Sequence, residues 1–257
     1  LGHGVDPHQT VEDKLQMLPV GHRDGEIQVA LQKITYFKGL EAFVEGDLAE
    51  AESAFAESRN VGLDAKYNAL NIFWLGEIAY QSGDMAQAQK QYNYYIKRAP
   101  RNAAEYKMAL YNLGYAHFTQ DNMAKSQKAF EGFVWLYKTA DRYRADAFNR
   151  LGDVLYLQKD YAGAVKNYEG AVSLNTADRH YARFQRAISL GLQGKSAPKI
   201  AALQDIVKDG MGDFVDDASY ELGRTFVGLE RYSEGAKVLE TFTAEQPNSP
   251  YYIPAML

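Results

Sequence analysis

The chain has 257 residues, of which 46% are hydrophobic and 24% are charged, a balance typical of a folded protein rather than a disordered one. Lys and Arg number 28 against 33 Asp and Glu, for a formal net charge of -5, so the composition does not favour binding to nucleic acid or to an anionic membrane surface. The absence of cysteine excludes disulfides, cysteine-ligated zinc and thiol catalysis.

Long stretches without proline, residues 20–99 and 101–197, predict helices, because an interior proline costs a helix about 3 kcal/mol. Apolar residues recur there at steps of three and four, as in Leu70, Phe73 and Trp74. No period-2 alternation of the kind that marks strands accompanies them. The sequence therefore predicts an all-α fold, and no stretch reaches the roughly 18 to 20 apolar residues of a membrane span.

The first predicted element is incomplete. The chain starts at Leu1 rather than at Met, and residues 10–18 fall where the second helix of a preceding repeat would belong. We expect residues 1–31 to be a partial preceding repeat or an N-terminal extension, and the chain to be a fragment of a longer repeat protein.

Six repeats follow over residues 32–249. Each contains a small marker residue, and the markers are spaced by 35 to 38 residues: Gly39, Gly76, Gly114, Gly152, Ala187 and Gly223. A turn is expected seven and eight residues after each marker. In five repeats a second small residue stands twelve positions after the marker: Ala51, Ala88, Ser126, Ala164 and Gly235. In the fifth repeat Lys199 occupies this position. A large apolar residue stands sixteen positions after every marker: Phe55, Tyr92, Phe130, Tyr168, Leu203 and Leu239.

This register predicts a helical hairpin in each repeat. The two small residues allow the helices to approach closely, and the large residue fills the space beside them. Because one hairpin cannot bury its own apolar faces, neighbouring hairpins are expected to stack into one continuous array. Residues 250–257 would begin a truncated next helix.

The pattern of Leu-Gly, then Ala, then Phe or Tyr, then Pro resembles the tetratricopeptide repeat (TPR) family. It is clearest in Leu75, Gly76, Ala88, Tyr92 and Pro100. The period departs from the family value of 34 residues by up to about one helical turn. The resemblance implies an all-α, right-handed superhelical solenoid of stacked antiparallel hairpins, a single domain over residues 1–257, that binds proteins without catalysis or cofactors.

The long segments that join some repeats, residues 95–102 and 242–249, resemble those of a bacterial envelope subgroup. Its members include the periplasmic protein of the Tol-Pal system and a lipoprotein of the outer-membrane assembly machinery. This resemblance implies a periplasmic or envelope location, with a cytoplasmic one as the alternative.

In TPR proteins the first helix of each hairpin lines the concave face. Positions three before, one after and four after the marker predict a groove for a peptide or protein partner. In the first four repeats these residues are Tyr36, Leu40, Phe43, Phe73, Glu77, Tyr80, Tyr111, Tyr115, Phe118, Asn149, Asp153 and Tyr156. Aromatic anchors dominate such interfaces. The alternative is that many of these rings only pack between successive first helices.

A carboxylate clamp, the mode in which some TPR proteins grip a chaperone C-terminus, is not expected. Aligned on the second to fourth repeats, it would use Phe73, Glu77, Asn112, Asp146 and Arg150. Only two of these five match the clamp, and the two acids would repel a terminal carboxylate.

Other activities have weaker support. The histidines His3, His8, His22, His117 and His180 include no i, i+4 pair, so no helical metal site is predicted. An α/α-toroid glycosidase would need two carboxylates across a cleft, and Glu77 and Asp153 are the candidates. A self-association module, in which the incomplete ends stack on a second copy, is the other alternative.

Overall fold

The computed structural model describes residues 25–177 and 179–256. The segment 10–18 and the histidines His3, His8 and His22 lie outside these residues. All regular secondary structure in the described part of the chain is helical. The helices are α1 (Gly25–Glu45), α2 (Leu48–Val61), α3 (Ala65–Gln81), α4 (Met85–Ile96), α5 (Ala104–Phe118), α6 (Met123–Leu136), α7 (Arg142–Leu157), α8 (Tyr161–Ser173), α9 (Arg179–Leu192), α10 (Ser196–Asp209), α11 (Val215–Gly228), α12 (Tyr232–Glu245) and α13 (Tyr252–Met256).

The chain divides into two compact units between Leu136 and Tyr137. Unit 1 holds the hairpins α1–α2, α3–α4 and α5–α6; unit 2 holds α7–α8, α9–α10, α11–α12 and the short α13. Within each unit every helix packs on the next, and first helices of neighbouring hairpins also touch, as α1 does with α3. The predicted all-α fold of stacked hairpins is confirmed, and the single solenoid over residues 1–257 stays a prediction.

The ends of the predicted repeat region shift slightly. Helix α1 begins at Gly25, so residues 25–31, which were expected to precede the first repeat, form its first turns. Helix α13 lies within residues 250–257, where the next helix was expected to begin.

Each marker glycine lies against the large residue sixteen positions later. A Cβ atom on Gly76 would stand 2.9 Å from the Tyr92 ring, and one on Gly152 would stand 2.4 Å from the Tyr168 ring. Both distances are shorter than the carbon–carbon contact of about 3.5 to 4.0 Å. This confirms the close approach inferred from the register, and it explains why these markers lack a side chain.

The hairpin turns share one backbone geometry. The residue seven positions after each marker has a positive φ, whether it is glycine, as Gly46 is at 87°, or not, as Lys159 is at 65°. In four of the six turns an Asp or Asn follows, and the Asp84 side chain accepts a hydrogen bond from the Gln87 N–H at the start of α4. The left-handed residue reverses the chain, and in three of the turns the next side chain caps the second helix: Asp47, Asp84 and Asp160.

The fifth repeat departs from the pattern in a way that the structure explains. The methylene chain of Lys199 occupies the space that a Cβ atom on Gly191 would fill, 2.7 Å from its Cδ. Its Nζ reaches Glu221 Oε1 at 2.6 Å on the following hairpin. A long side chain is therefore tolerated at a position that is small in the other five repeats.

Candidate peptide-binding site

The predicted stripe residues differ in exposure. Tyr36, Phe73, Asn149 and Asp153 are buried. The other eight are half-buried: Leu40, Phe43, Glu77, Tyr80, Tyr111, Tyr115, Phe118 and Tyr156. The stripe therefore combines packed residues with others that keep an accessible edge.

An aromatic cluster in unit 1 explains the buried part of the stripe. Trp74 packs against Phe43 and Phe73, with ring centroids 4.9 and 5.3 Å away, and its Nε1 donates a hydrogen bond to the Tyr36 hydroxyl at 3.0 Å. Tyr36 also meets the ring of Tyr67 edge-on at 5.0 Å. These contacts join α1 to α3, so the rings stabilise the stacking of two hairpins.

A cavity of about 650 Å³ opens beside this cluster. Its walls come from α1, from the start of α3, and from the segment between α4 and α5. Tyr36, Leu40 and Leu70 contribute apolar surface, and Phe37 lies at the edge with 47% of its surface exposed. Among the stripe residues predicted from sequence, the structure brings Tyr36 and Leu40 to this cavity.

Both positively and negatively charged residues line this cavity. Lys66, Arg98 and Glu105 line it. The Arg98 guanidinium lies 3.4 Å from the centroid of the Tyr94 ring, a cation–π contact that holds it at the surface. A ligand with apolar side chains and few charges fits this lining best.

The Glu77 carboxylate is hydrogen-bonded to side chains of its own repeat and of the next repeat. Its Oε1 accepts hydrogen bonds from the Tyr92 hydroxyl and from Asn112 Nδ2, each at 2.7 Å. Burial raises the pKa of Glu77, an effect that these two bonds reduce. Glu77 and Asn112, two residues of the clamp alignment, are therefore bonded to each other.

Asp153 has the same arrangement in unit 2. Its Oδ1 accepts from the hydroxyls of Tyr168 and Tyr181 at 2.8 and 2.6 Å, and its Oδ2 pairs with Arg150 at 2.8 Å. Burial, followed by the charge of Asp153, raises the pKa of both tyrosines. Both oxygens of this carboxylate are occupied by the protein itself.

The two acids follow a rule that the sequence contains. Where the residue sixteen positions after the marker is tyrosine, the residue directly after the marker is an acid, as in Glu77 with Tyr92 and Asp153 with Tyr168. In the four repeats with Phe or Leu at that position, the residue after the marker is not acidic. The rule identifies both carboxylates as hydrogen-bond partners of a buried hydroxyl rather than as a catalytic pair.

Tyr111 and Tyr115 also pack closely. Tyr111 lies 5.1 Å from Phe133 and Tyr115 lies 5.3 Å from Phe130, measured between ring centroids. They connect α5 to α6 and keep one edge accessible. Removing both rings would disturb this hairpin, so they are less suitable for a binding test than Phe37.

Other site types lack support in residues 25–177 and 179–256. No three His, Cys, Asp or Glu side chains gather there as a metal site would require. None of the helices in this part of the chain is long and apolar enough to cross a membrane.

Comparison with known proteins supports the repeat family. Residues 73–134 and 145–178 each match a family model of the tetratricopeptide repeat. These two segments are similar to tetratricopeptide repeats. No curated protein matches the sequence significantly. The envelope subtype and location stay predictions.

Several solved structures share the fold. YrrB, described as a TPR protein with an unusual peptide-binding site, superposes with a TM-score of 0.62 at 20% identity, over 80% of this chain and 99% of YrrB. MamA from Desulfovibrio magneticus RS-1 superposes with a TM-score of 0.57 at 17% identity, over 71% of this chain and 97% of MamA. BtubC from P. vanneervenii superposes with a TM-score of 0.56 at 14% identity, over 80% of this chain and 91% of BtubC. At these identities the likeness shows the fold alone.

Proposed function

We propose that this TPR protein is a non-enzymatic scaffold that binds a peptide segment of a partner protein through the cavity of α1, α3 and the α4–α5 segment. The observation that carries the proposal is the apolar cavity itself, with Phe37 exposed at its edge. YrrB, with the same fold, is described as peptide-binding.

The mechanism is preorganisation. The Tyr36 hydroxyl is held by Trp74, and its ring by Tyr67, so this wall of the cavity is ordered before a ligand arrives. A flexible peptide then loses its own conformational entropy while the protein loses little. Apolar side chains of the peptide would pack on Leu40 and Phe37.

The engagement of Glu77 and Asp153 supports a non-enzymatic scaffold over the glycosidase alternative. A general acid or nucleophile must face substrate, whereas both carboxylates accept hydrogen bonds from buried tyrosines. Glycan hydrolysis by this chain that is lost in Glu77→Gln would contradict the proposal. Self-association is a separate prediction, which sedimentation at two concentrations tests.

The binding test starts from a peptide selected on the wild-type chain from a random library. Phe37→Ala should weaken its affinity about tenfold, because truncating an aromatic residue that contacts the ligand typically costs about 1 to 2 kcal/mol. The control is Leu157→Ala in unit 2, which removes an apolar side chain of similar exposure, 54% against 47% for Phe37, away from the cavity. Equal affinities of the two variants would refute the assignment.

A further inference from the structure

A second cavity in unit 1, of about 500 Å³, lies among α4, α5 and α6. It shares no residue with the first cavity, and none of its lining belongs to the predicted stripe. We call it the basic groove. Its lining residues are Asn93, Ile96, Arg101, Tyr106, Leu110, Leu113, His117, Lys125, Lys128, Ala129, Gly132, Trp135 and Leu136.

The basic groove has an apolar floor and an exposed aromatic side chain. Leu110 and Leu113 extend along one face of α5, and Trp135 on α6 has 66% of its surface exposed. A Cβ atom on Gly132 would stand 3.3 Å from Leu110 Cδ1, so the glycine leaves the groove open where α6 approaches α5. A large exposed indole beside a preformed apolar depression is the composition of a protein-binding hot spot.

The charges along the basic groove have one sign. Arg101, Lys125 and Lys128 line it, and no carboxylate does. No ion pair in residues 25–177 and 179–256 includes any of these three cations. The whole chain has a net charge of -5, so this positive surface runs against the overall composition. Three unpaired cations would attract an anionic ligand.

His117 supplies an independent observation. Its side chain lines the basic groove with only 5% of the residue exposed, and its Nδ1 is buried without a hydrogen-bond partner. A buried polar atom in this state destabilises the folded chain, and a hydrogen bond to a ligand atom would offset that cost. Burial, with a smaller effect of Lys125, lowers the pKa of His117, so the imidazole is neutral near pH 7.

We propose that the basic groove binds an acidic, amphipathic peptide segment of a partner protein. Apolar side chains of the segment pack on Trp135 and the α5 floor, and its carboxylates pair with Lys125 and Lys128. The combination decides the class of ligand, because an apolar floor alone would favour a neutral peptide and cations alone would favour any polyanion. This site is separate from the first cavity, so the chain would hold two segments at once.

The test uses a fluorescein-labelled synthetic peptide of about 12 residues, with Leu on one helical face and Glu at the other positions. Its anisotropy is titrated with the full chain. We expect binding that weakens as salt is added, and no binding when Lys replaces each Glu or Ala replaces each Leu. Trp135 is one of the chain's two tryptophans, so a change in its emission on binding, absent in Trp135→Ala, places the peptide at the groove.

Matched variants separate the contribution of the lysine charges to peptide binding from that of the Trp135 ring. Lys125→Glu with Lys128→Glu should weaken binding at least about tenfold, whereas Lys166→Glu with Lys237→Glu, the same charge change at exposed positions of unit 2, should leave it within about twofold. Trp135→Ala should weaken binding about tenfold, and Leu192→Ala, at an exposed site in unit 2, should not. Each replaced side chain is exposed, so folding is retained and is checked by circular dichroism.

Three results would overturn the proposal. The first is equal binding of the Glu and Lys peptides. The second is unchanged affinity in the Lys125 and Lys128 double variant. The third is tighter binding of a single-stranded oligonucleotide of equal charge that the same double variant abolishes, which would make the groove a polyanion site. Phe37→Ala should leave this peptide's affinity unchanged, so failure here is distinguishable from failure of the proposed function.

Discussion

Gly114→Ala tests the register that organises every repeat. A methyl group on Gly114 would stand 2.7 to 2.8 Å from three ring atoms of Phe130, about 1 Å closer than an ordinary carbon contact. The Phe130 ring has 0% exposure and is flanked by Tyr111 and Tyr115 at 6.1 and 5.3 Å. The ring can therefore move only by displacing its neighbours.

The expected magnitude combines two opposing effects. Overpacking of a closed core costs about 1 to 3 kcal/mol, and replacing glycine by alanine within a helix gains about 0.5 to 1 kcal/mol. We expect Gly114→Ala to lower the free energy of unfolding by about 1 to 2 kcal/mol. Gly228 in α11 has no heavy atom within 4 Å of the equivalent position, so Gly228→Ala should gain up to about 1 kcal/mol.

Urea unfolding followed by far-ultraviolet circular dichroism measures both variants. The fifth repeat suggests a rescue, because there alanine is the marker and leucine its partner, Ala187 and Leu203, both with 0% exposure. The double variant Gly114→Ala, Phe130→Leu copies that pair and should show a coupling of about 0.5 to 3 kcal/mol relative to the single variants. The reasoning fails if Gly114→Ala stabilises the chain as Gly228→Ala does.

Three further predictions concern the acids, caps and turns. Burial raises the pKa of Glu77, so its contribution to stability is present in acid and is lost as the pH rises through that raised value. Glu77→Gln should therefore raise the unfolding temperature relative to the wild type near pH 7 and bring no advantage near pH 4; an advantage that grows in acid would contradict this sign. Asp84 caps α4 through its side chain, whereas Lys195 makes no such bond before α10. In urea titrations Asp84→Ala should therefore lower the free energy of unfolding by about 1 kcal/mol, and Lys195→Ala should lower it by less than about 0.5 kcal/mol. Equal losses in the two variants would refute the cap. Lys159 has a φ of 65°, so Lys159→Gly should gain up to about 1 kcal/mol by the same measurement, and a loss would show that the turn does not strain a side chain.

Much of the fold could be predicted because the same spacing of small and large residues recurs in each repeat. The marker and the residue sixteen positions later meet within one hairpin, so their spacing alone determines the contact, as with Gly39 and Phe55. The turn position was also readable, although half of the turn residues with positive φ are not glycine. The Tyr–acid pairing was present in the sequence as a covariation between repeats, and only the hydrogen bonds of Tyr92 and Tyr168 made its meaning plain.

The binding surfaces were harder to predict for a physical reason. Whether Tyr36 is buried depends on Trp74 and Tyr67, which belong to the next hairpin, and no rule within one repeat describes that contact. The basic groove draws its lining from three helices, with His117 and Trp135 at unrelated positions of the repeat. No spacing in the sequence indicated it.

By itself the sequence determined that the chain is helical, where each hairpin turns and which residues meet inside it, because these depend on local spacing and backbone geometry. The tertiary structure decided which stripe residues keep an accessible edge and where cations gather beside an apolar floor. Exposure and local charge depend on side chains contributed by neighbouring hairpins, so they are properties of the stacked repeats rather than of any single repeat.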